Sequence, residues 1–535
     1  MSSVADVIVH RLRDAGTRTI FGMPGGGSNL DLIAAAGRAG LDFVLTATET
    51  GAALAAVAQA EISGVPGVCL TTLGPGVASV VNGIACAHLD RAPVLVLTDR
   101  HPASAAGFEH QRLDHRALLA PVTKWSATLS GENADAVMHE AIYRATSGRP
   151  GPVHIELPSD IAGVGSRESI VGSRDFRTPT PDHRLWMDYR LLASALSRAK
   201  HPLLLVGVAA RREIDAAAVR RFCASHNVPA MVTYKAKGVV ADSDPHFAGV
   251  FTNAAIDQEI LDQADLYVGV GLDPVELLPR PWTRGQPIIN CSPWRVDDRH
   301  IPFAAQIIAD VPEALQTIAD LLSRAEWKLD ALGMAVAAQR QRLICESGAQ
   351  LAPSRVVELA AAASAGARVT VDAGAHMFPA TVLWPVAAPN GMLISNGLST
   401  MGFALPAAIG AALLERDQPV VALTGDGGLL ICAGELLTAA RERLRVVTVV
   451  LSDSSLSLIA VKQQQRQHAS AGVALGDIAW CALAEGLGVT AHLAANEQQL
   501  TEALETAMKH CGPSLIDARV DPSSYGDILH HVRGA

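Results

Sequence analysis

Two acidic turns stand 27 residues apart in the last third of the chain. Gly425-Asp426-Gly427-Gly428 closes the apolar run 420–424, and Ser452-Asp453-Ser454-Ser455 closes a second run, 446–451. The residues between, about 429–443, read as a helix. A strand, a Gly-Asp-Gly turn, a helix and a parallel strand form one right-handed βαβ unit. Both strand ends of such a unit open on one edge of the sheet, where ligands bind. Asp426 and Asp453 are therefore expected to be neighbours. The glycines let backbone N–H groups approach a phosphate at a helix N-terminus, and paired carboxylates can hold a hard divalent cation against it. The pattern predicts a magnesium–diphosphate site.

The elements that must position these turns belong to a long α/β chain. At 535 residues it exceeds a single core and suggests about three domains. Helix and strand signals alternate from residue 1 to about 165, with strands at 19–21, 43–45, 67–71, 93–98 and 153–158. Such a rhythm predicts parallel sheets covered on both faces. Residues 161–185, rich in Gly, Ser, Arg, Thr and Pro, read as a linker. A second α/β domain follows over 186–325, a helical connecting arm over 324–351, and a third α/β domain over 350–535. The first and third domains share a layout of glycine-rich loops after strands, consistent with a distant duplication of one fold.

Composition narrows the partners. Charged residues are 18% of the chain and the formal net charge is −10, without a Lys/Arg block, which argues against nucleic acid. Eight scattered cysteines with no C-x-x-C pair fit reduced thiols rather than disulfides or zinc. The first helix lacks the apolar core of a signal peptide, and no run is long enough to span a bilayer, so no membrane partner and a cytoplasmic location are expected.

Other segments could contribute chemistry. Gly22-Met23-Pro24-Gly25-Gly26-Gly27 follows the first strand, and a turn after the second reaches Glu49. Gly74-Pro75-Gly76-Val77 starts 25 residues after that glutamate, and Ser395-Asn396-Gly397-Leu398-Ser399-Thr400-Met401-Gly402 precedes the Gly-Asp-Gly turn. Taken together, these motifs resemble the thiamine-diphosphate-dependent enzymes of the acetohydroxyacid synthase, pyruvate oxidase and benzaldehyde lyase group. The resemblance covers essentially the whole chain. It implies an N-terminal pyrimidine-binding domain, a central Rossmann-like domain and a C-terminal diphosphate-binding domain.

By that resemblance, Asp426, Asp453 and the backbone carbonyl of Ser455 would ligate Mg²⁺. The family usually has Asn-Asn where this chain has Ser452-Asp453. The second carboxylate adds a negative charge facing the diphosphate, which favours looser cofactor binding or calcium. Glu49 matches the catalytic glutamate, although the residue before it, commonly His in relatives, is Thr48 here. A carboxylic acid at the pyrimidine N1′ promotes the imino tautomer that takes the C2 proton, and a buried Glu of raised pKa suits the task. Met401 matches the apolar residue beneath the bent cofactor. Pro24, Gly25, Gly76, Ser399, Gly425, Gly427, Gly428, Leu456 and Leu458 are the remaining cofactor contacts implied. Gly374, Ala375 and His376 fall in the loop that closes over the diphosphate, where His376 is a phosphate or substrate donor or else structural.

Substrate choice in this family comes from the pocket above C2. The loop Phe108-Glu109-His110-Gln111-Arg112-Leu113-Asp114-His115, with Lys124-Trp125 after it, looks most like carboxyethylarginine synthase. Gln111 is the expected hydrogen-bond donor to the substrate oxygen and His110 a proton relay. Leu458, Val461 and Lys462 are expected to line the pocket. The Arg-rich flavin signature is missing around Val270-Gly271-Leu272-Asp273-Pro274, so FAD is not expected. The resemblance implies decarboxylation of a 2-oxo acid such as pyruvate and ligation to an acceptor carbonyl compound. The alternatives are a simple decarboxylase, a 2-hydroxyketone lyase, or a cofactor-binding protein with degenerate chemistry. It also implies a homodimer at minimum, with a homotetramer common, in which Glu49 of one copy and Asp426 of another serve one site.

Overall fold

The computed structural model describes residues 2–105, 107–165, 184–186, 189–297 and 299–534. Most of the linker read at 161–185 lies outside them. Chain contacts divide the molecule into two compact units. The first comprises Met1–Pro179, Gly397–Gln418 and Cys432–Arg445; the second comprises Thr180–Asn396, Pro419–Ile431 and Val446–Ala535.

The first unit holds a six-stranded parallel sheet of β1 (Thr19–Gly22), β2 (Asp42–Leu45), β3 (Gly67–Thr71), β4 (Val94–Arg100), β5 (Trp125–Thr128) and β6 (Val153–Pro158). Its strand order is β2-β1-β3-β4-β6-β5. The central strands β3, β4 and β6 are almost wholly buried, as expected when helices cover both faces. β5 was not legible in the sequence because it is a four-residue edge strand with one buried side chain. Two helices from the last third of the sequence complete this unit. Ala404–Leu414 packs on Glu49–Ser63 through small residues, where a Cβ on Gly410 would overlap the Ala55 carbonyl and Gln59 Nε2 donates to Gly410 O (3.2 Å).

The second unit carries two sheets. One contains β7 (Arg184–Trp186), β8 (Pro202–Val206), β9 (Ala230–Val232), β10 (Phe247–Val250), β11 (Leu266–Val270), β12 (Ile288–Ser292) and β13 (Phe303–Ile308), ordered β10-β9-β8-β11-β12-β13-β7. It is parallel except for the edge strand β7, which pairs antiparallel with β13. The other contains β14 (Arg368–Val371), β15 (Met392–Ile394), β16 (Val420–Gly425), β17 (Val446–Ser452), β18 (Thr490–Ala494) and β19 (Ser514–Arg519), ordered β15-β14-β16-β17-β19-β18. That sequence of neighbours repeats the first unit's sheet strand for strand, as a duplicated layout requires. Doubly wound α/β organisation is thus present in all three sheets.

Two helix expectations need correction. The arm at 324–351 is helical only over Leu329–Gln341; residues 342–351 run as turn and coil, with Cys345 N donating to Ser354 Oγ. The helix expected at 429–443 begins earlier, at Asp426, and breaks after Cys432 before resuming as Glu435–Arg441. Gly434, in the turn between the two helices, keeps helical angles (φ −58°, ψ −25°), and a Cβ there would stand only 2.9 Å from Ala47 Cβ in the loop before Glu49. Among the described residues, no helix is long and apolar enough to cross a membrane.

Candidate active site

Ligands on open α/β sheets bind where neighbouring strands feed crossovers in opposite directions. In the second unit that point lies between β14 and β16, whose C-terminal ends carry Asp372 and Asp426. β16 and β17 run in register to Gly425↔Leu451, so Asp426 and Asp453 leave adjacent strand ends. Asp426 is buried (3% exposed), and its Oδ2 accepts from Asp453 N (3.2 Å) and Ser454 N (2.6 Å). Its Oδ1 accepts from Gly427 N (2.8 Å). Asp453 accepts from Ser455 N (3.0 Å) and Ser457 Oγ (2.6 Å). Ser454 takes a left-handed φ of 59° to aim its N–H at Asp426.

The electrostatics of this pair are unfavourable without a cation. Burial pushes both carboxyls up, Asp453 to about 6, and the charge of Asp426 adds to the shift at Asp453. Tyr525, buried beside them, is pushed up by burial and by both acids. A divalent ion relieves such like-charge repulsion. No three His, Cys, Asp or Glu side chains among the described residues form a metal-holding group. A cation here would need backbone and ligand oxygens besides the two aspartates.

The glycines of the adjoining turns are packed closely against Asp372 and His376. A Cβ on Gly428 would overlap Asp372 Oδ2, which accepts from Thr424 Oγ1 (2.9 Å). Gly374 and Gly425 both face the His376 ring, with prospective Cβ positions 2.6 and 3.3 Å from its atoms. His376 is buried, which holds its pKa down to about 4, and its Nε2 has no hydrogen-bond partner. The ring hydrogen-bonds to the Asp372 backbone, so in the neutral form its one N–H is engaged there and Nε2 is left as an acceptor. Ala375 is buried in the same loop. In the helix Ser457–Gln465, Leu458 and Val461 pack partly on the unit's core, whereas Ile459 and Lys462 are exposed. Leu456 N is tied to Val473 O (2.8 Å).

The first unit gathers the other group. Pro24 and Gly25 follow β1 and Gly74–Gly76 follow β3, again at the switch point of the sheet. Glu49 is the first residue of the helix Glu49–Ser63, whose N-cap is Thr48. Its carboxylate lies by the N-terminus of the helix Pro75–Leu89: Oε1 is 3.2 Å from the position a Gly76 Cβ would take. Glu49 is half-buried in this chain rather than enclosed as expected. Met401 is half-buried, and Ser399 has a φ of 53°. Their loop is docked on the helix Pro75–Leu89 by Asn82 Nδ2 donating to Thr400 Oγ1 (2.8 Å) and by Gly397 N donating to Asp90 Oδ1 (2.7 Å).

His110 and Gln111 are exposed on an irregular loop, Gln111 with a φ of 61°. Its backbone lies against Gly74, where a Cβ would come within 2.6 Å of Gln111 O. Gly74 N donates to His115 Nε2 (3.1 Å), which requires that nitrogen to be unprotonated; burial lowers the His115 pKa accordingly.

Three family profiles match the chain: the thiamine pyrophosphate enzyme N-terminal TPP-binding domain over residues 2–118, the central domain over 190–318 and the C-terminal TPP-binding domain over 372–518. The catabolic acetolactate synthase of Raoultella terrigena is 31% identical across 97% of this chain and 95% of its own length. The chain belongs to the thiamine pyrophosphate enzymes. Also similar is the probable 2-ketoarginine decarboxylase AruI of Pseudomonas aeruginosa PAO1, 32% identical over 84% of this chain and 81% of that protein. Among solved structures, the thiamine diphosphate-dependent 4-hydroxybenzoylformate decarboxylase of Rhodococcus jostii RHA1 superposes with a TM-score of 0.84 at 20% identity, covering 97% and 99% of the two chains; this likeness is one of fold. The protein is a thiamine-diphosphate-dependent enzyme of acetolactate-synthase-like carboligase and decarboxylase type.

Several residues of these sites carried no readable role in the sequence. Asn82 and Asp90, on and just after the helix Pro75–Leu89, hold the Met401 loop. Tyr525 sits more than 70 residues beyond Asp453, and no local spacing connects them. Glu435, buried at the start of a short helix, accepts from Ala47 N (3.2 Å) and Thr48 N (3.1 Å) in the loop leading to Glu49.

Proposed function

We propose that this enzyme decarboxylates a 2-oxo acid such as pyruvate and joins the remaining acyl unit to an acceptor carbonyl compound. Full-length likeness to a catabolic acetolactate synthase is the observation that carries this reading. Bound thiamine diphosphate supplies the nucleophilic carbon and the electron sink. Asp426, Asp453 and the Ser455 carbonyl hold Mg²⁺, while His376 and the Gly374–Ala375 and Gly425–Gly428 backbones bind the diphosphate. Glu49 holds a proton at the pyrimidine N1′, with Pro24, Gly25, Gly76, Ser399, Met401, Leu456 and Leu458 shaping the cofactor's bed. Gln111 donates to the substrate oxygen and His110 relays a proton at the same place. The domains have these roles over 1–165, 186–325 and 350–535.

No FAD is used in this reading. At the switch point between β8 and β11, Val208 N donates to Glu276 Oε2 (2.8 Å) and Ala209 N to Gly271 O (2.9 Å). The backbone donors that would face a pyrophosphate there are engaged by the chain itself. The working form is a cytoplasmic homodimer at minimum, and a homotetramer by analogy with the family.

Incubation with pyruvate, thiamine diphosphate and Mg²⁺, following CO₂ separately from acetolactate and acetoin, tests the reaction. Acetolactate formed in step with CO₂ is the expected result. CO₂ with free aldehyde alone would replace the ligase reading by simple decarboxylation, which the 32% identity to a probable 2-ketoarginine decarboxylase favours as the second reading.

A further inference from the structure

Glu435 is a buried acid (1% exposed) outside the residues assigned above, nine positions beyond Asp426 in sequence. Four donors converge on its carboxylate. Ala47 N (3.2 Å) and Thr438 Oγ1 (2.9 Å) reach Oε2; Thr48 N (3.1 Å) and Thr48 Oγ1 (3.3 Å) reach Oε1. A buried ionised carboxylate is tolerable only when so satisfied. Three of the four donors belong to the two residues immediately before Glu49.

The surroundings are shaped to the same carboxylate. A Cβ on Gly51 would overlap Glu435 Oε1, so the first turn of the helix Glu49–Ser63 can close around the acid only with glycine there. The close approach of Gly434 to Ala47 brings the start of Glu435–Arg441 against this loop. Thr48 is committed twice: its Oγ1 caps the helix by accepting from Gly51 N (2.9 Å) and donates to Glu435. Side-chain and backbone rotation at residues 47–48 is thereby fixed, and Glu49 is the next residue in the chain.

We propose that Glu435 is a positioning residue for Glu49: its carboxylate clamps the Ala47–Thr48 backbone and so fixes the direction in which the Glu49 carboxyl is presented to the aminopyrimidine ring. The clamp does not touch the cofactor. It rests on the assignment of Glu49 as the proton-holding acid. Misplacement of a catalytic group by about 1 Å costs on the order of 100-fold in rate, which sets the scale of the expected effect.

The test uses Glu435→Gln in the full-length protein, with Glu49→Gln as control, and two readouts. Amide hydrogen exchange of residues 46–51 in the cofactor-free protein should accelerate in Glu435→Gln while the sheet strands stay protected. With saturating thiamine diphosphate and Mg²⁺, exchange of the cofactor C2 proton for deuterium should slow about 10- to 100-fold, with the cofactor-induced thermal shift retained. Thr438→Val, which removes one donor to Oε2 and keeps the packing, should give the same pattern at smaller amplitude and serves if Glu435→Gln does not fold. C2 exchange at the wild-type rate in the substituted protein would overturn the proposal, even with a lowered Tm, because that is what a purely structural acid would give. If Glu49→Gln itself exchanged C2 normally, the assignment of Glu49 would fall first, and the clamp with it.

Discussion

The two acidic centres of this chain are built on sheets of identical strand order and are finished in opposite ways. In the second unit, Asp426 and Asp453 leave adjacent strand ends, Asp426 accepts from the backbone of the Asp453 turn and the two acids repel one another, so the turn is complete in shape but short of positive charge. In the first unit, Glu49 stands alone at a helix N-terminus, half-buried, and the order around it comes from behind, through Thr48 and Glu435. On the proposed reading, one layout therefore serves as a cation-and-phosphate anchor in one place and as an oriented acid in the other. What differs is whether the carboxylates face each other or are separated by a backbone segment.

That contrast predicts separable failures. Asp426→Ala removes the buried acceptor of three N–H groups and one of the two carboxylates proposed to hold the cation. Thermal stabilisation by thiamine diphosphate and Mg²⁺, about 2.7 kcal/mol at a hundredfold excess over Kd, should disappear, and turnover with it. Stabilisation that survived in this variant would remove Asp426 from the anchor.

A second effect belongs to the anchor alone. Burial depresses the His376 pKa from 6.5 to about 4. The unfolded chain therefore binds more protons than the folded one between these values, and stability falls as pH drops through that window. The His376 contribution amounts to about 2 kcal/mol lost between pH 7 and pH 5 in the cofactor-free protein. His376→Gln should flatten this part of the acid limb in urea titrations at the two pH values; an unchanged slope would show that the ring is hydrated.

The smallest effect sharpens the electrostatic half of the comparison. Asp453→Asn can keep its acceptance from Ser455 N while losing one charge. Turnover should survive, and the metal preference should move from Ca²⁺ toward Mg²⁺ by roughly fivefold, about 1 kcal/mol. Activation profiles with the two ions in wild type and variant measure it; an identical ratio would mean that the Asp453 charge is irrelevant to metal choice.

The Asp426–Asp453 pairing was readable in the sequence because local rules determine it: two apolar runs, a glycine turn and a fixed crossover bring the two residues together without long-range information. Glu49 could be placed only by its distance from Gly74 and by family resemblance. Its supports could not be placed. Glu435 lies 388 residues from Ala47, and its contact depends on a helix break that propensity alone did not reveal at Gly434. Edge strands such as β5 and β18 were missed for a related reason: half-exposed strands leave no continuous apolar run. Parallel core strands and glycine turns are local messages, whereas clamps and docking bonds are properties of the folded chain.

The central claim is that anchoring and proton handling are divided between these two acidic centres. Hydrogen–deuterium exchange at C2 of thiamine diphosphate bound to Glu49→Gln, with cofactor affinity measured on the same sample, tests it most directly. The division predicts exchange slowed by about 10²- to 10⁴-fold with affinity close to wild type. Exchange at the wild-type rate, or an affinity that collapses together with it, would contradict the claim.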